Sequence, residues 1–309
     1  MQTPRGPVSR GHGARAAVLA GLSLLVPVKL QGQDVQPRVY APAPVGITAL
    51  ALGYAFSHGA VLFDKTIPIE NASGDIHSIT AAASRSFGVF GMAGRADVAV
   101  PFVIGHWEGE VDRTLQSTSR TGFGDPVLRF TVFFAGAPAL RRNEFAGFRP
   151  KTIVGATLRL GVPLGQYDPS RLVNLSSHRW TISPQLGVSH LAGQFFLEAN
   201  AGIWLFTTNG AFLGTSTQSQ DPLFTVQAHV VYRFPRGVWL AASSRQSLGG
   251  AVQVDGGEAL AMEANNRIGI TLGVPLGHRY TLRLAATTGL TATVGNDYTT
   301  VALGWQMIL

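Results

Sequence analysis

The last nine residues, Val301 to Leu309, read VALGWQMIL. Val301, Leu303, Trp305, Met307 and Leu309 share one face of an extended chain, while Ala302, Gly304, Gln306 and Ile308 share the other. This is a period of two that runs to the last residue and carries an aromatic side chain near its middle. A strand of this kind suits the closing strand of a barrel with lipid outside and water inside.

The same alternation recurs in twelve stretches: Val45–Phe56, Ile76–Phe87, Val89–Phe102, Phe123–Ala135, Thr152–Val162, Arg179–His190, Phe195–Thr207, Leu223–Phe234, Val238–Ser247, Asn266–Val274, Tyr280–Thr288 and Tyr298–Leu309. In Leu223–Phe234, for example, Phe224, Val226, Ala228, Val230 and Tyr232 oppose Thr225, Gln227, His229 and Arg233. Most stretches reach the length of about 9–11 residues that a tilted transmembrane strand needs. A soluble β-sandwich also alternates, but its strands are typically about 5–6 residues long. Phe87-Gly88, Leu191–Gln194, Pro235–Gly237 and Pro275–His278 are short turns. Ser57–Asp75, Gly105–Gly122, Gly165–His178, Asn209–Asp221 and Leu248–Asn265 are longer polar loops. Short turns on one side and long loops on the other, with an even strand number, place both chain ends on the short-turn side. Aromatic residues gather at strand ends, at Tyr54/Phe56, Phe90/Phe102, Phe224/Phe234 and Tyr280, as interfacial girdles do.

Composition agrees with that architecture. Only 13% of residues are charged, against about a quarter in soluble domains, and mean hydropathy is +0.20. Beyond the N-terminus no apolar run is long enough for a helical span, so a membrane chain of this kind must satisfy its backbone in a closed barrel. Arg5, Arg10 and Arg15 followed by Ala16–Val28 form a signal-peptide pattern with a candidate cut after Gly32. The expected organisation is a signal peptide over 1–32, an extended periplasmic lead-in over 33–44 (QDVQPRVYAPAP after Gly32) and one barrel over 45–309. The leader holds four basic residues and no acid, so without it the net charge falls from +7 to +3. No basic run remains to serve nucleic acid. With no cysteine, disulfides and thiolate chemistry are excluded.

Several stretches resemble a known family. RSFGVFGMAGRADVAVPF (Arg85 to Phe102) is similar to its first hairpin, and GFGDPVLRF (Gly122 to Phe130) to a strand entrance. LRLGVPLG (Leu158 to Gly165) is similar to a strand exit, and SPQLGVSHLAGQFFLEANAGIW (Ser183 to Trp204) to the hairpin after it. The family is described as MetA-pathway of phenol degradation proteins, a transporter-like group. Leu164 stands where the family usually has a small polar residue, and the chain ends in Leu309 rather than Phe. The resemblance implies a Gram-negative outer-membrane β-barrel with a role in uptake of hydrophobic or aromatic compounds, and it implies no catalytic residues.

Enzyme chemistry finds little footing in the residues. There is no G-x-S-x-G, no H-E-x-x-H and no glycine-rich turn between a strand and a helix. No catalytic, cofactor-binding or metal-ligating set is assigned, and no cofactor is expected. His58, His77, His106 and His178 scatter near outer loops. The candidate functional residues are the inward-facing charges: Arg95, Asp97, Arg129, Arg159, Glu198, His229, Arg233, Arg245, Arg267 and Arg283. A pore lined mainly by one sign favours the opposite ion, whereas Arg–carboxylate networks also brace small barrels. Phe133, Trp204, Phe206 and Trp239 share the inner parity and are expected to narrow the passage.

The fold expected is therefore an all-β, antiparallel up-and-down transmembrane barrel of about twelve strands. The function expected is passive uptake of small solutes, aromatic and anionic ones included. A plugged structural or adhesive barrel, a barrel lipid hydrolase and a secreted β-sandwich are the alternatives. Outer-membrane lipid, a small solute and the barrel assembly machinery are the expected partners.

Overall fold

The computed structural model describes residues 35–62, 69–111, 113–145 and 147–309. The expected signal peptide, and Gln33 and Asp34 of the lead-in, lie outside the described residues. Sixteen strands follow in chain order: β1 (Thr48–Leu62), β2 (Ile69–Val89), β3 (Met92–Val111), β4 (Thr114–Phe123), β5 (Val127–Ala135), β6 (Thr152–Gly161), β7 (Thr181–Ala192), β8 (Phe195–Phe206), β9 (Asn209–Phe212), β10 (Ser216–Gln220), β11 (Leu223–Arg233), β12 (Trp239–Gly249), β13 (Val252–Val254), β14 (Glu263–Leu276), β15 (Tyr280–Thr291) and β16 (Gly295–Ile308). One α-helical turn, α1 (Arg142–Phe145), and one 3-10 turn, Pro235–Gly237, interrupt them.

Thirteen of the strands form one antiparallel sheet. Within it β4 and β5 share a wall position: β4 pairs with the outer half of β3 and β5 with the inner half, broken at Gly124-Asp125-Pro126. Proline cannot donate to a ladder, so a break there is expected. The wall thus has twelve positions. It closes on itself because β16 pairs with β1 from Ala49↔Ile308 to Leu62↔Gly295. The C-terminal strand read from VALGWQMIL is the closing strand.

Burial is inverted relative to a water-soluble protein. Leu52, Leu186, Phe224 and Val301 are more than half exposed on the outside, while Thr131, Thr157 and Ser183 are fully buried inside. Moving each such outward side chain from water into hydrocarbon contributes about 1.5–3 kcal/mol. A continuous belt of them is stable only in a lipid bilayer. Near the end where Leu309 lies, here called the inner end, Tyr280 stacks on Trp305 at 5.7 Å and Tyr232 meets Phe195 and Phe234 at 5.1 and 4.7 Å. Phe102 and Phe123 meet edge to face at 5.2 Å nearer the outer end.

Four sequence expectations need correction. The loops expected at 57–75 and 105–122 are largely strand, since β2 spans 21 residues and β3 spans 20. Their outer parts carry polar residues on the outside: His58 meets Asp75 at 2.7 Å, Tyr54 meets His77 at 2.8 Å and His106 meets Ser119 at 2.9 Å. Beyond the bilayer both faces are wet, so the alternation that reveals a strand disappears. The first inner turn falls at Phe90-Gly91 rather than Phe87-Gly88. Both turn residues have positive φ, 49° and 76°, the geometry a two-residue hairpin demands. The loops expected at 209–221 and 248–265 contain β9, β10 and β13, a separate small sheet over the outer mouth. Its Asn209 and Gln218 are buried.

The fourth correction concerns the expected extended lead-in. Its described part, from Val35, turns into the lumen. Tyr40 is 2% exposed and packs with Ala93, Phe133, Ala137 and Ile153. The long inner connection between β5 and β6 meets it there, with Val45 N–H donating to the Leu140 carbonyl at 2.9 Å. A barrel of this width has a polar interior with many unfilled donors and acceptors, and the terminal segment satisfies a set of them.

Candidate functional site in the lumen

Strand parity places the inward charges in rows. Asp97 on β3, Arg129 on β5 and Arg159 on β6 are consecutive register partners. The Asp97 carboxylate accepts from Arg95 Nε at 3.1 Å and from Arg129 Nε at 2.9 Å, so one acid serves two guanidiniums. Arg245 on β12 and Arg267 on β14 are likewise register partners, both buried, and Arg267 donates to the Tyr298 carbonyl. On β8 and β11, Glu198 lies opposite His229. His229 is buried, with Nδ1 2.9 Å from Ser243 Oγ. Ser243 is buried too, so this pair sits within the wall and presents no nucleophile to lipid.

The inner aromatics act as platforms for arginine. Arg159 lies 5.2 Å from the Trp204 ring, Arg283 5.7 Å from Trp239 and Arg179 4.8 Å from Phe206. Arg233, exposed at the inner rim, lies 5.3 Å from Phe196, and Arg38 covers the same ring at 3.9 Å. Ring faces attract cations and hold a guanidinium in place without an acid. An arginine supported this way keeps its outward field, whereas one paired with a carboxylate largely loses it. Phe133 is different: it packs against Tyr40 and carries no arginine.

Three groups at the site were not singled out from sequence. Gln36, Arg38 and Tyr40 belong to the segment expected outside the barrel. Arg129 Nη1 donates to Gln36 Oε1 at 2.7 Å, and Gln36 N–H lies 3.4 Å from Gln227 Oε1. Arg38 N–H donates to Glu198 Oε2 at 2.7 Å, and its guanidinium stands 3.5 Å from Oε1. Arg179, the expected first residue of a strand, lies just before β7 beneath the outer sheet and is 2% exposed. One sequence signal was available: β6 and β7 carry inward glycines, Gly155 and Gly187, that face each other in register. Glycine inside a strand marks a close approach, and here the neighbour is the Tyr40 ring.

Beside the segment a cavity of about 420 Å³ remains open. Small residues of β1 and β2 (Ala49, Ala51, Ala55, Ala82) leave the space. Asp97, Arg129, Arg159, Arg283 and Gln36 line its charged side. The cavity is large enough for a small organic solute. Its charge balance among these residues is three cations to one acid.

An outward apolar belt, a closed twelve-position wall and an arginine-lined interior define a transmembrane β-barrel of the outer-membrane type. The sequence family described as "Putative MetA-pathway of phenol degradation" matches residues 70–307, and the chain belongs to that family. No curated protein sequence matches it. Among solved structures it is similar to an outer membrane channel from Pseudomonas putida F1, with 19% identity, a TM-score of 0.74, and coverage of 89% of this chain and 100% of that one. It is also similar to the transport unit of the autotransporter AIDA-I from Escherichia coli, at 7% identity and a TM-score of 0.51, covering 94% of this chain and 96% of that one. At these identities the likeness is one of fold.

Proposed function

We propose that this protein is an outer-membrane channel for passive uptake of small anionic solutes, aromatic carboxylates among them. The observation that carries the reading is the set of arginines held on ring faces around an open cavity with a single carboxylate in its lining. Such a lining raises the local concentration of anions and lowers that of cations. The aromatic platforms offer flat apolar surface beside the charge, which suits a ring bearing a carboxylate. The solved channel from Pseudomonas putida shares the fold, and membership of the family supports transport rather than catalysis. The expected organisation belongs to the same proposal: residues 1–32 removed on export, a short lead-in and a barrel from residue 45.

The test is current through purified protein in a planar bilayer under a salt gradient. The reading expects anion-selective conductance that benzoate reduces in a concentration-dependent way by occupying the lumen. Cation selectivity, or no current under any condition, overturns it. A second reading is favoured by one observation: residues 35–44 occupy part of the lumen and the small outer sheet lies over its mouth, as in a permanently plugged barrel. Absence of current after removal of residues 33–44 supports that reading. Lipid hydrolysis that vanished in His229→Ala would point to an enzyme instead.

A further inference from the structure

The lumen segment is held to the barrel wall through side chains. Its residues 35–44 join no strand ladder. Arg38 and Ala41 form a turn of their own, and contacts that fasten residues 36–40 to the wall run through side chains: Gln36 to Arg129 and Gln227, Arg38 to Glu198, Arg95 to the Val39 carbonyl, and Tyr40 against the wall. Further along, Val45 and Gly46 are tied by backbone bonds to Leu140 and Ser86, which makes a fixed root. Leaving the lumen would cost these side-chain contacts and would break no hydrogen bond between wall strands.

The Tyr40 slot is built into the wall. A Cβ at Gly187 would lie 2.0 Å from Tyr40 Cε2, and one at Gly155 would lie 3.2 Å from Cδ1. Each strand glycine costs about 0.5–1 kcal/mol relative to alanine, so the paired glycines make room for a ring at the expense of wall stability. The slot adjoins the arginine cavity, because Gln36, four residues before Tyr40, lines that cavity and occupies Arg129.

We propose that residues 35–44 are a displaceable plug that competes with the solute: Gln36 occupies the anion's place at Arg129, and Tyr40 occupies the place of its ring. This rests on the channel reading above. A small aromatic carboxylate presents the same two groups, an acceptor for Arg129 and a flat ring for the slot. It shifts the segment outward by binding the open state better than the closed one. The Arg38–Glu198 pair is the latch, and the root at Val45–Gly46 keeps the segment attached.

The chain has no cysteine, so engineered thiols are the only ones present. In the double variant Arg38→Cys/Glu198→Cys the latch is gone, and a short bifunctional thiol cross-linker restores the tether covalently. Folding of each variant is first checked by heat-modifiable gel migration. The expected result is a bilayer conductance several-fold above wild type before cross-linking and below wild type after it. Gly187→Ala, which expels the Tyr40 ring without altering the segment, is expected to raise conductance too. Benzoate is the probe for competition. It should increase chymotrypsin cleavage after Tyr40, a residue both forms keep, in the wild-type barrel and leave the cross-linked variant unchanged. Equal conductance of the cross-linked and unlinked forms, or cleavage indifferent to benzoate, overturns the plug while leaving the channel standing. No current from any form overturns both.

Discussion

Arg38 and Glu198 lie 160 residues apart in the chain and meet twice: the Arg38 amide donates to one carboxylate oxygen at 2.7 Å, and its guanidinium faces the other at 3.5 Å. Ser189 Oγ shares the same carboxylate at 3.1 Å. Removing the acid strands an amide and a cation that are largely screened from water. Glu198→Ala is expected to weaken docking of residues 35–44 by about 1–3 kcal/mol, the cost of orphaned buried donors. Amide exchange at residue 38 should quicken accordingly, while the barrel's thermal unfolding stays near that of wild type.

Arg129 stands between Asp97 and Arg159 in one row of register partners and lines the cavity. Reversing its sign changes the field where the solute would pass. Two unit charges 4 Å apart interact by about 1 kcal/mol even in bulk water, roughly a fivefold effect on ion occupancy. Arg129→Glu is expected to move the reversal potential under a potassium chloride gradient toward cations by at least that ratio in relative permeability. An unchanged reversal potential would show that ions do not pass this row.

Arg179 is buried beneath the outer sheet with no acidic partner among the described residues. Its Nη2 donates to Gln220 Oε1 at 2.5 Å and its guanidinium lies on Phe206, while Nε and Nη1 have no hydrogen-bond partner. Burial pushes its pKa down to about 10. The folded value lies below that of a free guanidinium, so the charge opposes folding at neutral pH, and stability should rise as pH climbs above about 10. Arg179→Met keeps the volume and removes the charge. We expect it to stabilise the barrel by about 1–4 kcal/mol in urea unfolding at pH 7, the range for replacing buried ion pairs by apolar groups, since here the buried charge has no acid among the described residues to offset its desolvation.

Leu186 on β7 is 63% exposed and faces outward between Ala156 and Ala201. On a water-soluble protein an arginine there would be harmless. In hydrocarbon it should cost about 2–4 kcal/mol near the bilayer midplane. Leu186→Arg is expected to lower folding stability in lipid vesicles by that amount, whereas Gln185→Arg, on the adjacent inward position, should act through the lumen instead.

The strands that lipid touches are legible in the sequence itself. From Phe224 to Val230 the oily and wettable residues alternate, and the structure turns Phe224 and Val226 outward and Thr225 and Gln227 inward. Two segments resisted that reading for the same reason. The outer halves of β2 and β3 project beyond the hydrocarbon, where Asp75, His106 and Glu108 are as acceptable outside as inside. Tyr40 lies in a Pro-rich stretch with no periodicity, so nothing local distinguishes a tail outside the barrel from a plug within it.

What the amino-acid order determined by itself is the barrel: a bilayer imposes the same requirement on every strand, and a period-two pattern with a closing end strand meets it locally, one strand at a time. What the tertiary structure alone decided is the contents of the lumen. Which arginine finds an acid, which rests on a ring, and where Gln36, Arg38 and Tyr40 lodge all depend on residues brought together across the closed wall from distant parts of the chain. Contacts of that kind leave no period in the sequence, because each is made once, in space, by the closure itself.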